Sequence, residues 1–190
     1  LMQRVGEGAG KAPLQQLKEE NEAAAVLCLK TGVRSCKALR EAKIIAWRNK
    51  GLSATDLATL GKLTPSLPAL EELRLEEWSA GADGGQLVEG LGVGALPALT
   101  RFTLGNVCVG DAGASALAAA LDRGALPRLK KLYLRKVAIG DAGLLALAPA
   151  LRRRPALEVL YLDGNPFGDE GLATLVAPPP ADAPPPQAEV

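Results

Sequence analysis

The sequence contains no histidine, and aromatic residues fill only 3% of its 190 positions. Without histidine, neither a Ser/His/Asp nor a Cys/His nucleophilic triad can be built. Common structural zinc sites lose one of their two donor types as well. The scarcity of large rings excludes a globule packed around aromatics. With 48% of residues apolar, the core must be leucine and alanine laid down in regular layers. Cysteine is also sparse: Cys28, Cys36 and Cys108 are an odd number and make no disulfide framework. They read as buried, reduced thiols of a cytoplasmic protein. No metal or other cofactor is expected. The longest unbroken apolar run, residues 23–29, is far short of the ~20 residues that cross a bilayer. No basic-led signal segment opens the chain either, so no membrane association is expected. Neither charge sign dominates: Lys and Arg number 22 against 21 Asp and Glu. That balance gives no whole-molecule case for nucleic acid.

What is present is a recurring unit, seen most clearly at residues 126–151. It places Leu129, Leu132 and Leu134 at L-x-x-L-x-L spacing, then a Gly140-Asp141-Ala142-Gly143 turn, then Leu144, Leu147 and Leu151. The first part has the period of a short strand with alternate residues inward, the second that of a helix with one buried face. Equivalent strand positions Ile45, Leu73, Phe102, Leu132 and Leu160 lie 28, 29, 30 and 28 residues apart. A period this constant is the mark of a repeat architecture. The segments 45–47, 73–75, 102–104, 132–134 and 160–162 are expected to form one parallel sheet in sequence order. Asp111, Asp141 and Asp169, each inside a G-D-x-G motif, are expected to cap the helices that follow. Pro149 should end its helix early or bend it.

Four segments follow from this reading. Residues 1–12 are a Gly-rich leader. Gly10 and Lys11 there are similar to a phosphate loop, but Val5 and Ala12 stand where that pattern needs Gly and Ser or Thr. Residues 13–38 are a helical cap, with Leu14, Leu17, Ala24 and Leu27 on one face, Gly32 ending the helix and Ser35 capping a shorter one. Such a cap covers the open core of the first unit. Residues 39–176 hold five repeats, and residues 177–190 are a solvated Pro/Ala tail.

These residues resemble the leucine-rich-repeat family, in particular its ribonuclease-inhibitor-like class. That class repeats L-x-x-L-x-L-x-x-N/C-x-L followed by a helix, with units of about 28 or 29 residues. The resemblance covers 39–176 and implies an α/β solenoid, a short right-handed horseshoe. Its parallel sheet lines the concave side and its helices the convex side. The family's Asn or Cys position, which hydrogen-bonds loop backbone, is filled here by Lys50, Trp78, Val107, Val137 and Asn165. Only Asn165 keeps the family's residue. The valines there should fill the core and leave loop amides to other partners.

Function follows from which residues the strands turn outward. In L-x-L the leucines point inward, so the residues between them face the groove. Those expected to contact a partner are Arg48 from the first strand, Arg74 and Glu76 from the second, and Arg101 and Thr103 from the third. The fourth adds Lys131, Tyr133 and Arg135, and the fifth Tyr161 and Asp163. Tyr133 and Tyr161 are the only tyrosines and share a register, with ring faces expected to open to the groove. Tyr and Arg are enriched in interface hot spots. The carboxylate pairs Glu71–Glu72 and Glu76–Glu77 lie on or beside an open strand, where solvation denies them the burial a general acid needs. A non-catalytic scaffold that binds a protein partner is therefore expected, as a monomer or as a segment of a longer solenoid. The resemblance offers one alternative, a regulator like the GTPase-activating proteins of the nuclear-transport GTPase Ran. That family ends in an acidic segment where this chain ends in Pro and Ala. Nucleic-acid binding would rest on Arg128, Lys130, Lys131, Arg135 and Lys136, with Arg152, Arg153 and Arg154 nearby. It is not expected, because Glu72, Glu76 and Asp163 interrupt that surface.

Overall fold

A computed structural model describes residues 11–78 and 83–176, with side chains from residue 21 onward. The expected tail, the first ten residues of the leader, and the side chains of Leu14 and Leu17 lie outside the described residues. Helix α1 (Lys11–Thr31) takes in Lys11 and Ala12 of the expected leader. Pro13 is tolerated there because an amide in the first helical turn has no intrahelical acceptor. Gly32, at φ 80°, ends the helix, and Ser35 accepts from the Ala38 amide to cap α2 (Cys36–Arg40).

Five strands then alternate with five helices. They are β1 (Ile44–Arg48), α3 (Ala54–Leu63), β2 (Glu72–Glu76), α4 (Gly84–Glu89), β3 (Arg101–Gly105) and α5 (Gly110–Asp122), followed by β4 (Lys131–Arg135), α6 (Asp141–Arg152), β5 (Val159–Tyr161) and α7 (Asp169–Val176). The strands form one open parallel sheet in the order β1-β2-β3-β4-β5. Its register pairs Ile45 with Leu73, Leu73 with Phe102, Phe102 with Leu132 and Leu132 with Leu160. That is the equivalence read from the period. Alternation does the rest: inward Leu73, Leu75, Phe102, Leu104, Leu132 and Leu134 are fully buried against helix residues such as Leu57, Leu87, Leu117 and Leu144.

Neighbouring units are joined by more than leucine. Asp111 and Asp141 do not cap their own helices, which start on Val109 and Gly140 without a side-chain cap. Each aspartate already lies within the first helical turn, past the capping position, and its carboxylate reaches into the next unit. Asp111 Oδ1 accepts from the Gly140 amide at 2.7 Å. Asp141 Oδ1 accepts from the amides of Gly168 and Gly171 at 2.7 and 2.8 Å. The last glycine of G-D-x-G is the other half of this joint. A Cβ at Gly143 or Gly171 would lie 2.5 Å from the carboxylate oxygen of the preceding unit's aspartate. Asp169 holds the same place in the fifth unit, at the edge where the described chain adds no further strand. There Leu172 is 48% exposed, whereas Leu144, its counterpart in α6, is fully buried.

The turn after each strand shows the same dependence on a neighbour. Asn49, Asn106, Lys136 and Gly164 adopt φ of 49°, 55°, 52° and 72° after β1, β3, β4 and β5. After β3, β4 and β5 this left-handed step turns the next inward residue one position later than plain alternation would, whereas after β1 Lys50 stays exposed and Leu52 is the next buried residue. In the fifth unit the inward residue is Asn165. Its Oδ1 accepts from the amides of Val137 and Ile139, and its Nδ2 donates to the Leu134 and Leu162 carbonyls. The amides beside Val137 thus find their partner one unit on. After β2 there is no such step, and alternation continues. Glu77, expected to be solvated, is fully buried. Its carboxylate accepts from the Lys50 amide at 2.7 Å and the Gly51 amide at 3.1 Å. Trp78, aligned with the family's Asn position, is therefore thrown outward and is 66% exposed.

Helix α6 does not end at Pro149 but continues to Arg152. The carbonyl left without its donor is that of Leu145, on the solvent-facing side, where water can take the bond. At the other end, α1 packs on α3 with Ala24 and Leu27 buried, and Lys30 Nζ meets Asp56 Oδ2 at 2.5 Å. Burial would raise the Asp56 carboxyl. The hydrogen bonds from Lys30 and from the Ser53 amide and hydroxyl outweigh it and hold the group below its ordinary 3.8.

Two outcomes follow. Glu77→Ala leaves two loop amides and their share of the core unsatisfied, and should cost about 2–4 kcal/mol in urea denaturation, with Glu77→Gln costing less. For Asp56, a depressed folded value means stability that is complete above pH 3.8 and fades as the pH falls through the folded value. The deficit of Asp56→Asn relative to the parent chain should therefore shrink between pH 7 and pH 3, measured by the same denaturation.

Candidate binding face

Among the described residues nothing covers the side of the sheet away from the helices, and parallel register stacks its residues into rows. The central row runs Ala46, Arg74, Thr103, Tyr133 and Tyr161. On either side of it lie charged rows, and most of their members are already matched. Arg48 meets Glu76 at 2.9 Å. Glu72 holds both Arg74, at 2.5 Å, and Arg101, at 3.4 Å. Arg135 Nε donates to Asp163 Oδ2 at 3.0 Å. Exposed pairs of this kind contribute only ~0–1 kcal/mol each to stability. Their consequence is orientation: they hold long side chains down along the sheet. Lys131 and Lys136 have no such partner among the described residues.

A cavity of about 630 Å³ opens on this face, within the roughly 300–1,000 Å³ common for ligand sites. It exists because β3 carries short side chains where its neighbours carry long ones. Thr103 and Gly105 form the floor, Arg74 and Glu76 one wall, and Tyr133 and Arg135 the other. Gly105 keeps the floor low: a Cβ there would come within 3.1 Å of Glu76 Cγ. All the residues expected from the sequence to contact a partner line this trough except Arg48 and Lys131. Arg48 lies on the β1 edge beside Glu76, and Lys131 at the start of β4.

The tyrosines differ from expectation in one respect. Their rings stack on each other, with centroids 5.2 Å apart and planes at 14°. One face of each ring is thus covered by the other, and adjacent strands ~4.8 Å apart bring the two rings within stacking distance. Trp78, Asn106 and Lys136 also line the trough, and the strand pattern alone did not assign them. Trp78 was hidden by aligning it with the family's Asn position. Counting plain alternation onward from Leu73 and Leu75 would have turned Glu77 in and Trp78 out.

Residues 155–176, which contain β5, its following loop and α7, match the family model for the leucine-rich repeat. Comparison with curated proteins finds no match. Leucine-rich-repeat domains generally mediate protein–protein interaction and are typically non-catalytic.

Away from the trough, the other groups capable of chemistry are scattered. Among the described residues, no three His, Cys, Asp or Glu side chains are grouped to hold a metal ion, and no helix is long and apolar enough to cross a membrane. The basic residues Arg153 and Arg154 on the helical side are committed within the fold. Arg153 pairs with Asp122 at 2.8 Å, and Arg154 donates to the carbonyls of Leu121 and Ala125 at the end of α5. Cys28 is buried with its Sγ 3.8 Å from that of Cys36. Burial first, and the hydrogen bond with Cys36 second, push its thiol up to about 11. Cys108 is exposed. Because the thiolate is the nucleophile, iodoacetamide at pH 8 should label Cys108 on the folded chain and leave Cys28 unmodified, as read by peptide mass spectrometry. Labelling of Cys28 at a comparable rate would show that the α1–α2 packing opens readily.

Proposed function

We propose that this chain is a non-catalytic interaction module of the ribonuclease-inhibitor-like leucine-rich-repeat class, working in the cytoplasm. It binds a protein partner in the trough of its concave sheet face, while α1 caps the first repeat. The observation that carries the proposal is the trough itself. Short Thr103 and Gly105 are flanked by taller residues that include a stacked tyrosine pair, an exposed tryptophan and several arginines, the side-chain types most often found at hot spots. The leucine-rich-repeat match within the fifth unit supports the same class of function.

The size of the face sets the kind of engagement. Five strands at ~4.8 Å span only ~19 Å, so the sheet face by itself offers far less than the ~800 Å² per partner of a standard interface. It suits one inserted segment of a partner better than a broad docking surface. The reading drawn from the Ran-regulator resemblance has no residue of this face to support it, and a GTPase turnover assay with and without the protein tests it directly.

The decisive comparison is between two double variants in quantitative affinity capture with mass spectrometry. Tyr133→Ala with Tyr161→Ala removes the stacked pair from the trough. Arg152→Glu with Arg153→Glu reverses charge on the helical side. The tyrosine variant should change folding stability by about 1 kcal/mol or less and weaken capture of the partner by ~2 kcal/mol or more. The arginine variant should capture it normally. Loss of the partner with the arginine variant alone would move the site to the helical side.

A further inference from the structure

The charges on the open face are not balanced in kind. Its three carboxylates, Glu72, Glu76 and Asp163, are each held by an arginine of the same face, and Glu72 by two. The strand starts are likewise self-matched, Lys43 with Glu71 and Lys130 with Glu158. Among the described residues, the charged groups of this face left without a partner are both cationic, Lys131 on β4 and Lys136 just after it. Lys136 lies along Gly164 of the fifth unit, where a Cβ would meet its Cγ at 2.5 Å, and it also lines the trough. Arg74 and Arg101 share one carboxylate and so remain under-neutralised. Six cations thus face three anions on one side of a molecule whose formal net charge is +1.

From this complementarity we infer that the trough takes an acidic, extended protein segment. Its carboxylates lie along Lys136 and Arg101 in the trough and Lys131 beside it at the start of β4, and an apolar side chain sits over Thr103 and Gly105 against the Tyr133–Tyr161 stack. The inference rests on the proposed concave-face reading and names the chemistry of its partner. Width agrees with it: the walls stand on β2 and β4, two strand spacings or roughly 9.6 Å apart, room for one extended chain or one inserted side chain. Nucleic acid fits less well. A strand with a phosphate at every nucleotide would have to pass the three fixed carboxylates, whereas a peptide can place its acidic groups only where lysine or arginine waits. Attraction of this sort acts through association rate and is weakened by salt.

The test uses fluorescently labelled synthetic decapeptides and the full chain, read by anisotropy at 50 mM and 300 mM salt. Three pools carry the same central Phe or Leu, flanked by Asp/Glu, by Ser/Gln or by Lys, and a ten-nucleotide oligouridine is the fourth probe. The acidic pool should bind at least tenfold more tightly than the neutral one at 50 mM salt, and much of that preference should vanish at 300 mM. Lys131→Glu with Lys136→Glu, on side chains outside the core, should abolish the preference while leaving the thermal midpoint in place. Equal or tighter binding of the neutral pool, the basic pool or the RNA would overturn the inference. So would acidic binding that survives the lysine reversal, or binding by none of the pools. The tyrosine double variant separates the two levels. If partner capture depends on the tyrosines but the acidic preference is missing, the face stands and the partner class is wrong. If the tyrosines affect neither capture nor peptide binding, the concave-face reading falls with it.

Discussion

The first, fourth and fifth units of this chain leave backbone amides in their loops that a neighbouring unit's side chain satisfies. Glu77 serves the Lys50 and Gly51 amides of the unit before it, and Asn165 serves those of Val137 and Ile139. In the other direction, Asp111 and Asp141 serve glycine amides of the unit after them. A buried amide without an acceptor costs ~1–3 kcal/mol, so the sheltered joints at Glu77 and Asn165 help leucine packing to fix spacing and register. They also explain the shape of the G-D-x-G motif. The aspartate needs the next unit's glycine to have no Cβ, because its carboxylate oxygen occupies that space. Period, motif and register are one constraint seen at three levels.

The open face proposed to bind a partner is a by-product of that constraint, modified at two places. In unit two the absence of a left-handed step lets Glu77 turn in, and the same alternation delivers Trp78 to the open side. In unit three, Thr103 and Gly105 stand between taller neighbours and open a trough. Because the strands are in register, Arg74, Thr103 and Tyr133 are brought side by side from positions 29 and 30 residues apart. The fold builds the frame, and a few departures from its repeat build the site. Chemistry and stability therefore separate: the inward rows hold the stack together, while the outward rows can vary without disturbing it.

The ends of the stack show the same dependence from the opposite side. Where a neighbour is present, as between α5 and α6, the inward helix leucines Leu117, Leu144 and Leu147 are fully buried. Where the described chain adds none, Leu172 and Val176 stay exposed and Asp169 has no glycine amide to receive. At the first unit, α1 supplies the neighbour with a different kind of surface, through Ala24 and Leu27 and the Lys30–Asp56 pair.

Much of this was legible in the sequence, because period and alternation are local properties. A spacing of 28–30 residues and the L-x-L pattern were enough to order five parallel strands, set their register and nominate most of the residues that line the trough. What depended on contact between units was not legible. The aspartates looked like helix caps, since capping is the commonest use of Asp before a helix. Only the position of the next unit's glycines reveals their other role. Glu77 looked solvated because no local signal marks two amides waiting 26 and 27 residues away. The tyrosines were placed correctly in register, yet their stacking depends on strand spacing and ring orientation. Which carboxylate takes which arginine, and hence which lysines remain unmatched, was decided only when five strands lay side by side.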